Sequence, residues 1–463
     1  MRTDERLAQL EAENAALRMA LEQALARIAE LEQQVATGVP PGPGLPIRPS
    51  KRAPTASKGP RRRRAAEHNR GRRRAVATRT VEHAFERCPD CHYRLRGRSL
   101  AYRRQVVELP EPTPVEVIEH RVLKRYCPKC ERWQQPKLDL AAKGQVLGQG
   151  RLGTRLLVLI AYLRHTLRLP FGLIQQYLAT LHGCQLSQGA LVGVLQQLQA
   201  APQTQGAVEQ LRQAIRASPI LHADETGWRE DGVNGYLWSF STDGPAAVRY
   251  YTFDPSRGQI VPRRVLGHAF QGHLVSDFYA GYNAYAGPHQ RCWVHLLRDL
   301  HALKEAHPDQ PAVLAWATQV RALYDQAQAW LAQAGEPSAP EREAQYRRLV
   351  AQVRPLALAH AHDKTHPVWA LAKRLLRHED ELFQFVLVPG LPADNNLAER
   401  SIRPQVVARK ISGGTRSAAG TAAHMDLASL FATWQARSLH PFDAALALLR
   451  PDLPLPPADN SFP

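Results

Sequence analysis

The sequence is short of acidic residues. Its 42 Asp and Glu face 60 Lys and Arg, which leaves a formal charge of +18 and an isoelectric point near 10.0. A deficit of that size favours polyanionic partners, nucleic acid or an anionic membrane surface. Long apolar runs are also missing. The longest, "LLVLIAYL" from Leu156, is bounded by Arg155 and Arg164, well short of the roughly 20 apolar residues a membrane span needs. The N-terminus, "MRTDERLAQLEAEN", is charged and has no apolar signal core, so no secretory signal is expected. Six cysteines in 463 residues do not make a disulfide scaffold. The absences leave a soluble, cytoplasmic protein with a polyanionic partner and no membrane partner as the expectation.

What is present divides into segments, and the length alone predicts two to four domains. Residues 1–36 carry heptads, with Leu7, Asn14, Leu21, Ile28 and Val35 at a and Leu10, Leu17, Ala24 and Leu31 at d. In a parallel pair, Arg6, Glu13 and Arg27 would meet Glu11, Arg18 and Glu32 of the facing helix, all opposite in sign. A core Asn such as Asn14 favours in-register dimers. The segment predicts a coiled coil and a homodimer or higher assembly; the alternative is an amphipathic helix packed on its own chain. Residues 37–80 form a linker whose seven prolines forbid helix and sheet. From Arg48 to Arg79 it holds thirteen Lys and Arg and one acid, Glu67. Its two clusters, Arg61, Arg62, Arg63, Arg64 and Arg72, Arg73, Arg74, predict phosphate contacts that weaken with salt.

Residues 81–140 contain two C-x-x-C pairs, Cys88 with Cys91 and Cys127 with Cys130. Two residues between thiols let both reach one tetrahedral ion, and two such knuckles predict a structural Cys₄ zinc site. Residues 145–215 read as helices. A turn near Gly183, followed by Ser187 as an N-cap, gives a helix-turn-helix rhythm, equally common as plain packing.

From residue 216 the pattern turns to short strands, "PILHAD", "GYLWSFST", "AAVRYYTF" and "GHLVSD", with a helix before the last. A short strand at "HQRCWVH", a helix from about His295 and a long helical stretch follow. Asp224 ends the first strand in this reading and Asp277 the fourth, while Glu399 sits on a late helix that Pro404 should end or kink. On that helix Asn396, Glu399, Arg400 and Arg403 share one arc of about 100°, and the two arginines are candidates to steady scissile phosphates. A three-strand meander, a helix and a fourth strand, with acids on the first and fourth strands and a late acid on a helix, is the order of a ribonuclease H-like fold. There the carboxylates would hold two Mg²⁺ or Mn²⁺ ions, hard cations that take oxygen ligands. Neighbours in a strand point to opposite faces, so Asp224 and Glu225 should not bind the same ion. Glu225 is expected to cap the turn or position a partner group.

The segments "HADETGW", "LVSDFYAGYN", "HQRCWVHLLRDL", "DNNLAERSIRP" and "RKISGGTRS" together resemble a bacterial transposase of the insertion-sequence sixty-six family, over nearly the whole chain. The resemblance implies a DDE triad of Asp224, Asp277 and Glu399, with Asp224 rather than Glu225 as the ligand. It implies a helical insertion over about 300–388 within a catalytic domain at 216–445, and a Cys-x-x-His element at Cys292 and His295. The implied activity is cleavage at element ends and strand transfer into target DNA, with accessory proteins of the same element as further partners. The tail, 446–463, is expected to be disordered. The overall expectation is a multidomain α+β chain with a ribonuclease H-like α/β catalytic domain. Its rivals are a DNA-binding regulator without catalysis and a metal-dependent nuclease of the same fold.

Overall fold

The computed structural model describes residues 19, 22, 79–104, 106, 112–268, 270–450 and 453. The heptad segment is described only at Met19 and Glu22, both helical, and the linker arginines at 61–64 and 72–74 lie outside the described residues. The chain forms two compact units, Met1–Leu109 and Pro110–Pro463, and the two C-x-x-C pairs fall one in each.

In the first unit Cys88–Cys91 make a reverse turn. The Cys88 N–H donates to the Tyr93 carbonyl at 2.9 Å, and the His92 N–H donates to the Cys88 carbonyl at 2.9 Å. In the second unit Cys127 and Cys130 sit on a hairpin of β1 (Arg125–Cys127) and β2 (Arg132–Gln134). Each pair is followed by a residue in the left-handed region, His92 at φ 57° and Glu131 at φ 52°. The first thiol of each pair is held below its ordinary value by backbone N–H groups of the turn, chiefly those of Cys91 and Cys130.

Four helices follow: α1 (Thr154–His165), α2 (Phe171–His182), α3 (Gln188–Ala200) and α4 (Pro202–Arg216). Gly183 closes α2 at φ 61°, and the Ser187 hydroxyl caps α3 by accepting from Ala190 N–H at 3.1 Å. The helix-turn-helix rhythm is therefore present. Yet α3 carries no Lys or Arg, and its Leu191, Val194, Leu195 and Leu198 are buried in a core shared with Ala423, Leu427 and Phe431 near the C-terminus. That face serves packing.

The central sheet has the order β5-β4-β3-β6-β7, with β3 (Ile220–Glu230), β4 (Val233–Ser241), β5 (Arg249–Asp254), β6 (His273–Ser276) and β7 (His289–Arg291). β3, β4 and β5 are antiparallel; β6 and β7 join in parallel after the crossover helix α5 (Ile260–Leu266). Leu237 to Ser241 of β4 are all buried because both faces are covered. Trp238 and Phe240 pack with Val261 and Val265 of α5 on one side, while Leu237 packs with Trp228, Tyr251 and Ile402 on the other. Each such apolar side chain contributes about 1.5–3 kcal/mol when buried.

Two local expectations are corrected. β3 does not end at Asp224 but runs to Glu230, since β4 pairs with it as far as Glu230↔Val233 across a turn in which Asp231 and Gly232 both have positive φ. Nor does Pro404 end its helix: α11, defined below, continues through it to Ser412.

Beyond the sheet, α6 (Trp293–Ala306), α7 (Pro311–Ala334), α8 (Ala339–Leu358), α9 (Trp369–Arg377) and the short α10 (Gln384–Leu387) build a separate helical core on Trp293, Trp316, Leu349, Leu375 and Phe383. The chain then returns through α11 (Asn396–Ser412), α12 (Ala418–Ala436) and α13 (Pro441–Leu449). Residues 446–449 of the expected tail are thus the last turn of α13, with Leu446 and Leu449 buried; of the remainder, only Arg450 and Leu453 are described. No helix among the described residues is long and apolar enough to cross a membrane.

Candidate active site

The parallel pairing of β3 with β6 stops at His222↔Val275. Continuing that register by two residues sets Asp224 beside Asp277. Both acids thus lie just past the end of the β3–β6 ladder, although β3 itself runs on beside β4. Asp224 Oδ1 accepts the Glu225 N–H at 2.8 Å. Asp277 Oδ1 accepts the Tyr279 N–H at 2.9 Å, and its backbone carbonyl accepts from Arg291 Nη1 at 2.9 Å.

Glu399 comes from the first turn of α11. With Asp224, Glu225, Asn396, Arg400 and Arg403 it lines a pocket of about 550 Å³. The helix arc read from the sequence is therefore the wall of a cavity. Asp277 is not in that wall, but it lies near enough to act on Asp224 electrostatically. The Asp224 carboxyl is pushed up to about 7 by burial first, then by Glu225, with Asp277 and Glu399 adding to it. Buried carboxylates crowded in this way favour a proton or a cation between them. The oxygen donors suit Mg²⁺ or Mn²⁺. As they stand, however, no group of three or more His, Cys, Asp or Glu side chains among the described residues converges to hold an ion. The acids are neighbours without being assembled ligands.

Glu225 is committed elsewhere. Its side chain is only 2% exposed. Oε1 accepts from Arg257 Nε at 3.0 Å and Nη2 at 2.7 Å, and Oε2 accepts from the Tyr282 hydroxyl at 2.5 Å. It caps no turn; it fixes the loop after β5 and the turn after β6 against β3, leaving Asp224 as the acid free to face the pocket.

Cys292 and His295 both engage the segment that opens α11. Cys292, fully buried, precedes α6, and its sulfur accepts the Asn395 N–H at 3.2 Å. His295 Nε2 lies 3.6 Å from Glu399 Oε1, and Arg298 Nη2 lies 2.8 Å from the same oxygen. The element ties α6 to the segment that opens α11.

Three positioning residues escape a reading of the sequence. Asn395, 1% exposed, donates Nδ2 to the Ala223 carbonyl at 2.8 Å, and its Oδ1 is 3.1 Å from His222 Nδ1. Burial lowers that imidazole to about 4, so it stays neutral. Arg291, fully buried, grips Glu381 through Nε at 2.5 Å and Asn283 through Nη2 at 2.6 Å while holding the Asp277 carbonyl. Arg298 is the third. The one signal in the sequence is an arginine inside the otherwise buried run "HQRCWVH".

The pocket joins acids from a strand and a late helix with two arginines, beside a mixed sheet flanked by helices, an architecture consistent with a transposase domain. Residues 149–423 match the family model described as "Transposase IS66 family", and the chain belongs to that family. Among curated relatives, the uncharacterized protein y4qI of Sinorhizobium fredii (strain NBRC 101917 / NGR234) is 26% identical over 238 residues, 46% of this chain and 42% of the relative. The uncharacterized protein y4jO of the same strain is 32% identical over 164 residues, 35% of this chain and 47% of the relative. The chain thus spans less than half the length of either.

Proposed function

We propose that this chain is a DDE-type DNA transposase with a ribonuclease H-like catalytic domain. It would cut phosphodiesters at element ends and join the freed 3′-hydroxyl to target DNA. One observation carries the reading: Asp224 and Glu399 come from opposite ends of the domain into one pocket, beside Arg400 and Arg403. Asp224, Asp277 and Glu399 would hold two Mg²⁺ or Mn²⁺ ions, which would supply Lewis-acid stabilisation of the charge that develops at the phosphodiester.

The chain's own residues do the rest. Arg400 and Arg403 bind the phosphates flanking the reacting one. Arg291 keeps the Asp277 backbone fixed, and Asn395 keeps α11 in register with β3. Glu225, held by Arg257 and Tyr282, anchors the strand beneath. Cys88 with Cys91 and Cys127 with Cys130 are proposed as structural zinc ligands. The matching turns, each with a thiol stabilised as thiolate by backbone N–H groups, suit that metal. The basic linker is proposed to hold DNA, the N-terminal coil to pair two copies, and accessory proteins of the element to join the assembly.

The test is strand transfer with the native element ends and Mg²⁺. Asp224→Asn is expected to abolish joined product while DNA binding persists; unchanged joining would remove the assignment. Cut but unjoined product from the unaltered chain would favour a nuclease instead.

A further inference from the structure

We infer that Arg298 exchanges partners: it holds Glu399 in the free protein and passes to a DNA phosphate in the complex, which frees Glu399 to bind a cation. The inference rests on the acid-centred reading of the pocket. Arg298 Nη2 contacts Glu399 Oε1 at 2.8 Å, and His295, one turn earlier on α6, approaches the same oxygen at 3.6 Å. Both contacts draw Glu399 towards α6. This is the state in which no three acids among the described residues converge on an ion site.

The pair is built to be exchanged. The side chains of Arg298 and Glu399 are 57% and 35% exposed. An ion pair that open to water is weakly held, whereas a guanidinium meets a phosphate through a charge-assisted, two-pronged contact. Arg298 has no competing tie to its acidic neighbour, because Asp299 is paired with Arg374. Arg400 and Arg403 lie on the same pocket wall as Glu399. A DNA backbone drawn to them arrives at the group Arg298 holds. The consequence is a site that gathers its cations once substrate is seated.

The experiment titrates Mn²⁺ into the full chain and reads free Mn²⁺ by electron paramagnetic resonance, first without DNA and then with a short duplex. Without DNA, Arg298→Gln is expected to bind Mn²⁺ about two- to fivefold more tightly than the unaltered chain, the worth of a surface ion pair. Arg298→Lys, which keeps the charge but loses the fork, should fall between the two. Arg400→Gln removes an equal charge from the same pocket without touching the latch and should gain far less. Duplex DNA should tighten Mn²⁺ binding in the unaltered chain but little in Arg298→Gln, since coupling between two ligands is reciprocal. An unchanged affinity in Arg298→Gln, or an equal gain in Arg400→Gln, overturns the exchange. Asp224→Asn separates the two levels. If it abolishes Mn²⁺ binding while Arg298→Gln changes nothing, only the exchange fails. If binding survives in Asp224→Asn, the acid-centred reading fails and the exchange with it. Thermal melting of each variant verifies that the fold is retained.

Discussion

Asn395 donates its side-chain amide to the Ala223 carbonyl at 2.8 Å, across 172 residues of chain. The hydrogen bond fixes the start of the helix that carries Glu399 to the strand that carries Asp224, one residue before that acid. The same Asn donates its backbone N–H to Cys292 and meets His222 with its carboxamide oxygen. One buried residue thus joins β3 and α11, the two elements that line the pocket, to the residue that opens α6.

Asn395→Ala leaves the Ala223 carbonyl and the His222 ring without their buried partner. Such a loss costs about 1–3 kcal/mol for each orphaned group. The melting temperature is expected to fall, and the Mg²⁺ concentration needed for half-maximal strand transfer to rise. Cys292→Ser, which keeps an acceptor for the Asn395 N–H, should be milder on both counts. Differential scanning fluorimetry and a metal titration of activity check this. Equal Mg²⁺ requirements would reduce Asn395 to a role in the fold alone.

Arg291 supports Asp277 in the corresponding way. Glu381, held to about 2 against the opposing effect of burial by His378 and Arg291, shows how strongly that cluster is charged. Arg291→Met should destabilise by about 1–3 kcal/mol, the cost of leaving the Asp277 carbonyl and a half-buried Glu381 without their donor. Arg291→Lys keeps the charge but loses the fork, so it should fold and transfer strands more slowly. Normal activity in the Lys variant would mean that Asp277 needs no such support.

The raised Asp224 carboxyl makes a signed prediction about pH. Its folded value, about 7, lies above the ordinary aspartate value of 3.8, so the folded state holds a proton that the unfolded chain has released. The stability this confers is complete below about 4 and is lost as pH rises to 7. Without divalent ions, the melting temperature of the unaltered chain relative to Asp224→Asn should therefore fall between pH 5 and pH 8. Added Mn²⁺ should offset that loss. A difference between the two proteins that is flat across this range would contradict the crowding of carboxylates.

Arg400 and Arg403 are assigned to phosphates. Replacing either with Ala should weaken binding of duplex DNA without regard to its sequence. It should also reduce the slope of log affinity against log salt by about 0.9 for each arginine replaced. An unchanged slope would place the DNA elsewhere.

Much of this is legible in the sequence because periodicity and chain order carry it. Strand-length apolar runs mark the sheet, Gly183 and Ser187 mark a helix boundary, and Asp277 and Glu399 stand out as acids at element ends. β3 reads too short in the sequence because an Asp-Gly turn lets β4 pair with it well past Asp224. Pro404 reads as a break, yet α11 packs along the sheet through Ile402 and runs on past it. The supporting interactions are not legible at all. Asn395, Arg291 and Arg298 owe their roles to partners 172, 90 and 101 residues away, and no local pattern encodes such a pairing.

The most direct measurement is anomalous diffraction from crystals of the full chain bound to duplex DNA and soaked in Mn²⁺. The account predicts anomalous peaks beside the carboxylates of Asp224, Asp277 and Glu399, with Glu399 released from Arg298. Peaks that avoid these three side chains, or none beside them while DNA occupies the pocket, would contradict it.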